Sequence, residues 1–194
     1  MVGSKEEVER LLRALGDRLE VAGAPKTGLA VCGGAALQVM GYMRRQLPAT
    51  KDIDAFAFVT EKAGGGITLV KSKPLPEFLV REIGVVGKDF GQPDDWLNSG
   101  PAAVFDTGAL PEGLASRLHA VSYGPVLTVY YLDRFDQIFF KLWAAADQTF
   151  GSGMSRHLTD LLALDPSEAE LETAARWTMT HDPSEGFALI LKHL

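Results

Sequence analysis

Val8, Leu11, Leu12, Leu15 and Leu19 recur every three or four positions behind Ser4 and Glu7, a capping-box pair. The spacing predicts an amphipathic helix over about residues 5 to 22. Gly23 to Gly28, with Pro25 inside it, ends that pattern, and Leu29-Ala30-Val31-Cys32 is an apolar run of strand length halted by Gly33-Gly34. A helix fits Ala35 to Met43, and the stretch from Arg44 to Lys51, which contains Pro48, reads as a loop. Ile53, Ala55, Ala57 and Val59 then alternate with Asp52, Asp54, Phe56 and Phe58, which is the period of a strand.

Gly64-Gly65-Gly66 marks a turn before a strand over Ile67 to Val70, and prolines open a helix from Leu75 to about Val86. Short strands are expected near Trp96-Leu97-Asn98, Ala102 to Phe105, His119 to Ser122 and Val126 to Tyr131. From Asp133 the period changes: Phe135, Ile138, Phe139, Leu142 and Ala146 share one helical face. Three further helical patterns follow, over about 155 to 164, 167 to 180 and 184 to 193. The chain reads as an α/β part over 1 to 131 and a helical part over 132 to 194, an α+β arrangement packed as one unit.

Composition narrows the class without changing this picture. The chain has 194 residues, 46% of them hydrophobic and 23% charged, enough for one sizeable core. No apolar run approaches the roughly 18 to 20 residues that cross a bilayer, and Met1-Val2-Gly3-Ser4 leads straight into charged residues, so the expected location is the cytoplasm, with no membrane partner. The single cysteine, Cys32, has no thiol partner, and its apolar strand reads as a buried, inert position. A net charge of -6 argues against a surface that grips nucleic acid everywhere. A local basic groove from Arg44, Arg45, Lys51, Lys71 and Lys73 stands beside the plainer reading of solvated charges.

The candidate chemistry lies in Asp52-Ile53-Asp54. Residues two apart on a strand share a face, which places two carboxylates side by side at the strand's start. Like charges held so close favour a cation between them, and hard oxygen donors select Mg²⁺ or Mn²⁺. Gly33-Gly34, between an apolar strand and a helix, lets backbone approach phosphate oxygens at a helix N-terminus. Taken singly, a Gly-Gly is commonly a plain turn and an Asp-x-Asp exposed decoration; their order along the chain carries the chemistry.

Val31-Cys32-Gly33-Gly34-Ala35-Ala36-Leu37, followed by Thr50-Lys51-Asp52-Ile53-Asp54-Ala55, resembles the first motif of the minimal nucleotidyltransferases, particularly the AbiEii-type toxin branch. Lys141-Leu142-x-Ala144 and Arg156-His157-Leu158-Thr159-Asp160-Leu161 are similar to that branch's downstream signatures. The resemblance spans about residues 29 to 164. It implies a nucleotidyltransferase-type mixed sheet flanked by helices. It also implies Gly33, Gly34, Thr50 and Lys51 around a nucleoside triphosphate, Asp52 and Asp54 on the metal, and Lys141 near phosphate or supporting the site. By the same resemblance the acceptor is an RNA, with tRNA foremost, and an antitoxin protein is a partner.

Three departures bear on activity. Pro48 stands where relatives carry an arginine, which Arg44 or Arg45 would replace if the loop folds back, and His157 replaces an acid of the downstream signature. The third carboxylate expected on a neighbouring strand is assigned first to Asp95 and second to Asp106. Asp147 and Asp160 are expected to face the cleft or to cap helices. Phe139, Phe140 and Trp143 have the helical spacing of a packed core more than of a base-stacking platform. His119, His157, His181 and His193 show no zinc-type spacing with one another or with Cys32. The sequence thus points to Mg²⁺-dependent transfer of a nucleoside monophosphate to an acceptor hydroxyl, with a catalytically reduced nucleotide- or partner-binding module as the alternative.

Overall fold

A computed structural model describes residues 4 to 42, 50 to 147 and 156 to 193. The order of elements is α1 (Lys5–Val21), β1 (Thr27–Cys32), α2 (Gly33–Met40), β2 (Ile53–Glu61), β3 (Ile67–Lys71), α3 (Glu77–Asp89) and β4 (Leu97–Asn98). A 3-10 turn over Gly100–Ala103 leads into α4 (Val104–Thr107) and α5 (Leu114–Arg117). Then come β5 (His119–Ser122), β6 (Leu127–Tyr131), α6 (Arg134–Asp147), α7 (Arg156–Ala163), α8 (Glu168–Thr178) and α9 (Glu185–His193). Among the described residues no helix is long and apolar enough to cross a membrane.

The strands form one mixed sheet in the order β3-β2-β1-β6-β5, with β4 also paired to β2. β1 runs antiparallel to β2 and parallel to β6. Because β1 occupies one edge of β2, the other edge is shared: β4 pairs in parallel at Ile53 and Asp54, and β3 antiparallel from Ala57 to Glu61.

Side chains alternate across β1 and β6, as strand geometry requires. Leu29, Val31, Val129 and Tyr131 face one core with α1 and α3; Ala30, Cys32, Tyr130 and Leu132 face a second core with the C-terminal helices. That second core joins β1 and β2 to α6 and α8, with Val104 of α4 and Leu114 of α5 completing it. Its centre is aromatic. Phe56 meets Phe140 edge-on with centroids 5.1 Å apart, and Phe140 stacks on Trp177 at 5.8 Å. Such pairs contribute about 0.5 to 1.5 kcal/mol beyond their buried area.

The uniform alternation expected along β2 is interrupted. Ala30 pairs with Ala57, but Val31 pairs with Ala55, so Phe56 is the extra residue of a bulge. Ile53 and Ala55 therefore pack into the first core while Phe56, Ala57 and Val59 pack into the second. Before the bulge, the face opposite Ile53 belongs to Asp52 and Asp54, and it is the face covered by α6.

Residues 102 to 105, expected as a strand, instead form the 3-10 turn and the start of α4. Pro101 sits in the first turn, where its fixed φ and missing N–H favour helical over extended backbone. α2 ends three residues before the expected Met43, because Gly41 adopts φ 67° and its N–H caps the Leu37 carbonyl. The first helix follows its sequence signature closely, with Ser4 accepting from the Glu7 N–H.

Candidate functional site

The C-terminal end of β1, the start of β2 and the start of α2 meet at one place. Cys32 pairs with Asp54 across the two strands, and the chain turns at Gly33, with φ 73°, directly into α2. A Cβ on Gly33 would lie 2.7 Å from Asp54 Oδ2, closer than any side chain tolerates. Glycine is thus favoured by its backbone angle, and any larger residue would also have to displace the Asp54 carboxylate. Gly34 is hemmed in by contact alone: a Cβ there would lie 2.8 Å from Thr50 Oγ1. Thr50 is buried, and its hydroxyl donates to the Asp52 carbonyl at 3.1 Å, bracing the approach to β2.

Asp52 and Asp54 converge. The Asn98 side-chain amide donates to Asp52 Oδ2 at 2.9 Å and to Asp54 Oδ1 at 3.2 Å, which puts both carboxylates on one face and within reach of a single NH₂ group. Asn98 arrives there because β4 pairs in parallel with β2, placing it directly opposite Asp54. Its own Oδ1 accepts the Gly100 N–H at 2.8 Å. Burial, then the neighbouring charge of Asp52, pushes the Asp54 carboxyl up to about 6, against hydrogen bonding from Asn98 and the positive charges of Lys141 and Arg156. Asp52 is also raised, by burial and then by Asp95, with Arg156, Asn98 and Lys51 opposing.

Next to Asp54 lies a cleft of about 300 Å³, bounded by Gly33, Asp54, Gln137, Lys141, Trp143 and His157 among others. The Gln137 side-chain oxygen accepts the Gly33 N–H at 3.2 Å and so holds the first turn of α2 against α6. One turn further along α6, Lys141 is buried and donates to the buried carboxylate of Asp160 on α7. Cys32 is buried too. Desolvation drives its thiol well above the ordinary range, as expected of an inert packing residue.

The structure therefore brings together Gly33, Gly34, Thr50, Asp52, Asp54 and Lys141. Lys51 is exposed and acts on Asp52 through its charge. Asp95 is exposed and raises Asp52 electrostatically; Asp106 is bound by Lys71, with Nζ 2.6 Å from Oδ2. Among the described residues no three His, Cys, Asp or Glu side chains come together as a metal-holding group. On the strand beside Asp54 the position is taken by an amide, Asn98. Asp147 borders the cleft, whereas Asp160 is committed to Lys141. Arg44, Arg45 and Pro48 lie outside the described residues.

Two residues at the centre of this site escaped the sequence reading. Asn98 is visible only through the β2–β4 pairing, and a search for carboxylates passes over an amide. Gln137 sits within an apolar helix, and nothing local marks it out.

The chain matches no protein-family model and no curated protein. Among solved structures it is similar to an antigenic nucleotidyltransferase-like protein from Paracoccidioides brasiliensis. Identity is 12%, the match covers 98% of this chain and 94% of that one, and the TM-score is 0.39.

Proposed function

We propose that this protein binds a nucleoside triphosphate with Mg²⁺, or Mn²⁺ in its place, and transfers the nucleoside monophosphate to an acceptor hydroxyl. The observation that carries this reading is the convergence of Asp52 and Asp54 on one amide, with Asp54 against Gly33 at the start of α2. The donor set fits a hard divalent cation. Two carboxylates share one small space, and the Asp54 carboxyl, pushed up to about 6, reports the unfavourable charge that a cation would relieve.

Asp52 and Asp54 would hold the cation, which when bound supplies charge neutralisation on the triphosphate and orientation for the acceptor. The remaining roles belong to the chain's own groups. Gly33 and Gly34 let Asp54 and Thr50 pack against the start of α2, and the cleft beside Gly33 lies near that helix N-terminus, where partial positive charge favours anions. Thr50 fixes Asp52 relative to Gly34. Lys141 contributes positive potential from a wall of the cleft, its ammonium being anchored by Asp160. By the motif resemblance, the acceptor is an RNA, with tRNA foremost, and an antitoxin protein partners the chain; the cytoplasm is the location expected from the sequence, which has no apolar run of bilayer-spanning length.

A second reading, a nucleotide-binding or protein-interaction module without transfer, draws on one observation: Asn98, not a carboxylate, stands beside Asp54 on the adjacent strand. The separating experiment incubates the protein with Mg²⁺, each α-phosphate-labelled nucleoside triphosphate and a pool of RNA. Label entering RNA with wild type but not with Asp52→Asn/Asp54→Asn supports transfer. Nucleotide binding without label transfer supports the nucleotide-binding module, and no metal-dependent nucleotide binding rejects both transfer and nucleotide binding.

A further inference from the structure

Six buried side-chain polar atoms have no hydrogen-bond partner among the described residues, and two of them belong to residues lining the same cleft: Gln137 Nε2 and His157 Nδ1. Buried polar groups are nearly always satisfied, so two orphans in one cleft ask for an explanation. Gln137 is the sharper case, because its residue is fully buried and its amide orientation is fixed by chemistry. The Gly33 N–H is a donor, so the Gln137 atom facing it must be the oxygen, which leaves Nε2 as a donor without an acceptor.

Resting on the nucleotide reading above, we infer that Gln137 is a ligand-binding residue whose amide is reserved for a phosphate oxygen of the bound nucleotide, with His157 lining the same cleft. Gln137 belongs to α6, one turn before Lys141, and is tied to Gly33 at the start of α2. A phosphate placed near that helix start is rich in acceptors, which is what an orphan donor lacks. An aspartate or glutamate of the protein would satisfy Nε2 equally well. None is bonded to it among the described residues, although Asp54 borders the same cleft. His157 adds a second polar group to the same cleft: desolvation, then Lys141, lowers its pKa, which favours a neutral ring. Its Nδ1 is the second unsatisfied atom of the cleft.

The test separates a reserved donor from a structural amide. Gln137→Met removes the orphan together with the Gly33 contact, and Gln137→Glu keeps an acceptor for the Gly33 N–H while removing the donor. Thermal melting and calorimetric titration are run on wild type and both variants with Mg²⁺ and tripolyphosphate, then with Mg²⁺ and each nucleoside triphosphate. The expected result is affinity for both probes reduced about tenfold or more in Gln137→Met, measured below its melting transition, with a ligand-free melting temperature that changes little because the lost Gly33 contact offsets removal of the orphan donor. Gln137→Glu should weaken both probes at least as much. Affinities unchanged in both variants, or a ligand-free melting temperature lowered by several degrees in Gln137→Met with affinity retained, would overturn the inference while leaving the nucleotide site standing. Wild type that binds neither tripolyphosphate nor nucleotide removes the nucleotide reading, and this inference with it.

Discussion

Gly33 and Asp54 occupy space that only one of them can fill: the Asp54 carboxylate oxygen stands 2.7 Å from the point where a Gly33 side chain would begin. The contact joins the turn into α2 to the start of β2, and Gly33 also carries φ 73°. Gly33→Ala should therefore destabilise the fold by about 1 to 3 kcal/mol, part from the left-handed backbone and part from displacing Asp54. Urea denaturation measures the first effect. Loss of Mg²⁺-nucleotide binding under conditions where the variant is still folded measures the second, and unaltered binding would show that the close approach is incidental.

Asp54 gives the site a pH signature. Its carboxyl rises from 3.8 to about 6 on folding, so between those values the folded chain binds more protons than the unfolded chain. Stability contributed at this position therefore falls as pH rises from about 4 to 6. Asp54→Asn should stabilise the ligand-free protein by about 1 to 3 kcal/mol at pH 7.5 and by much less near pH 4. Denaturation curves at the two pH values in a chelator check this. A variant less stable than wild type at pH 7.5 would mean that favourable contacts of Asp54 outweigh its burial and the neighbouring charge of Asp52.

Asn98 offers the complementary experiment, since its NH₂ group satisfies both acids at once. Asn98→Asp places a third carboxylate opposite Asp54 and removes that donor. In a chelator at pH 7.5 the variant should lose roughly 1 to 3 kcal/mol, and Mg²⁺ should restore most of it. If Mg²⁺ leaves the melting temperature of Asn98→Asp where the chelator put it, the two natural acids do not share a cation.

The wall of the cleft rests on a buried ion pair. Lys141 and Asp160 are both buried and hydrogen-bonded to each other, tying α6 to α7. Lys141→Met should cost about 3 to 5 kcal/mol, because it strands the Asp160 charge, whereas Lys141→Met/Asp160→Leu should recover much of that loss. A double-mutant cycle by urea denaturation reads the coupling. Equal costs for single and double variants would mean that the lysine stabilises through packing of its stem.

The elements legible in the sequence were those whose period or punctuation is local. α1 follows from Leu11, Leu12, Leu15 and Leu19 behind the Ser4 cap, and β5 from a short run between turns. The segment 102 to 105 failed because four apolar residues cannot by periodicity separate a strand from a helical turn, and Pro101 decided the matter. The bulge at Phe56 was hidden because it arises from pairing between β1 and β2, which alternation within β2 does not encode. The candidate site divides the same way. Asp52, Asp54, Gly33 and Gly34 stand out as a short pattern, while Asn98 and Gln137 reach the site only through long-range strand pairing and helix packing.

Calorimetric titration of wild type and Asp54→Asn with a nucleoside triphosphate, in Mg²⁺ and in chelator at pH 7.5, addresses the shared cation most directly. The expected result is binding by wild type that requires Mg²⁺ and weakens by at least about tenfold in Asp54→Asn. Binding of equal strength with and without the metal, or equal strength in the two proteins, would contradict the account.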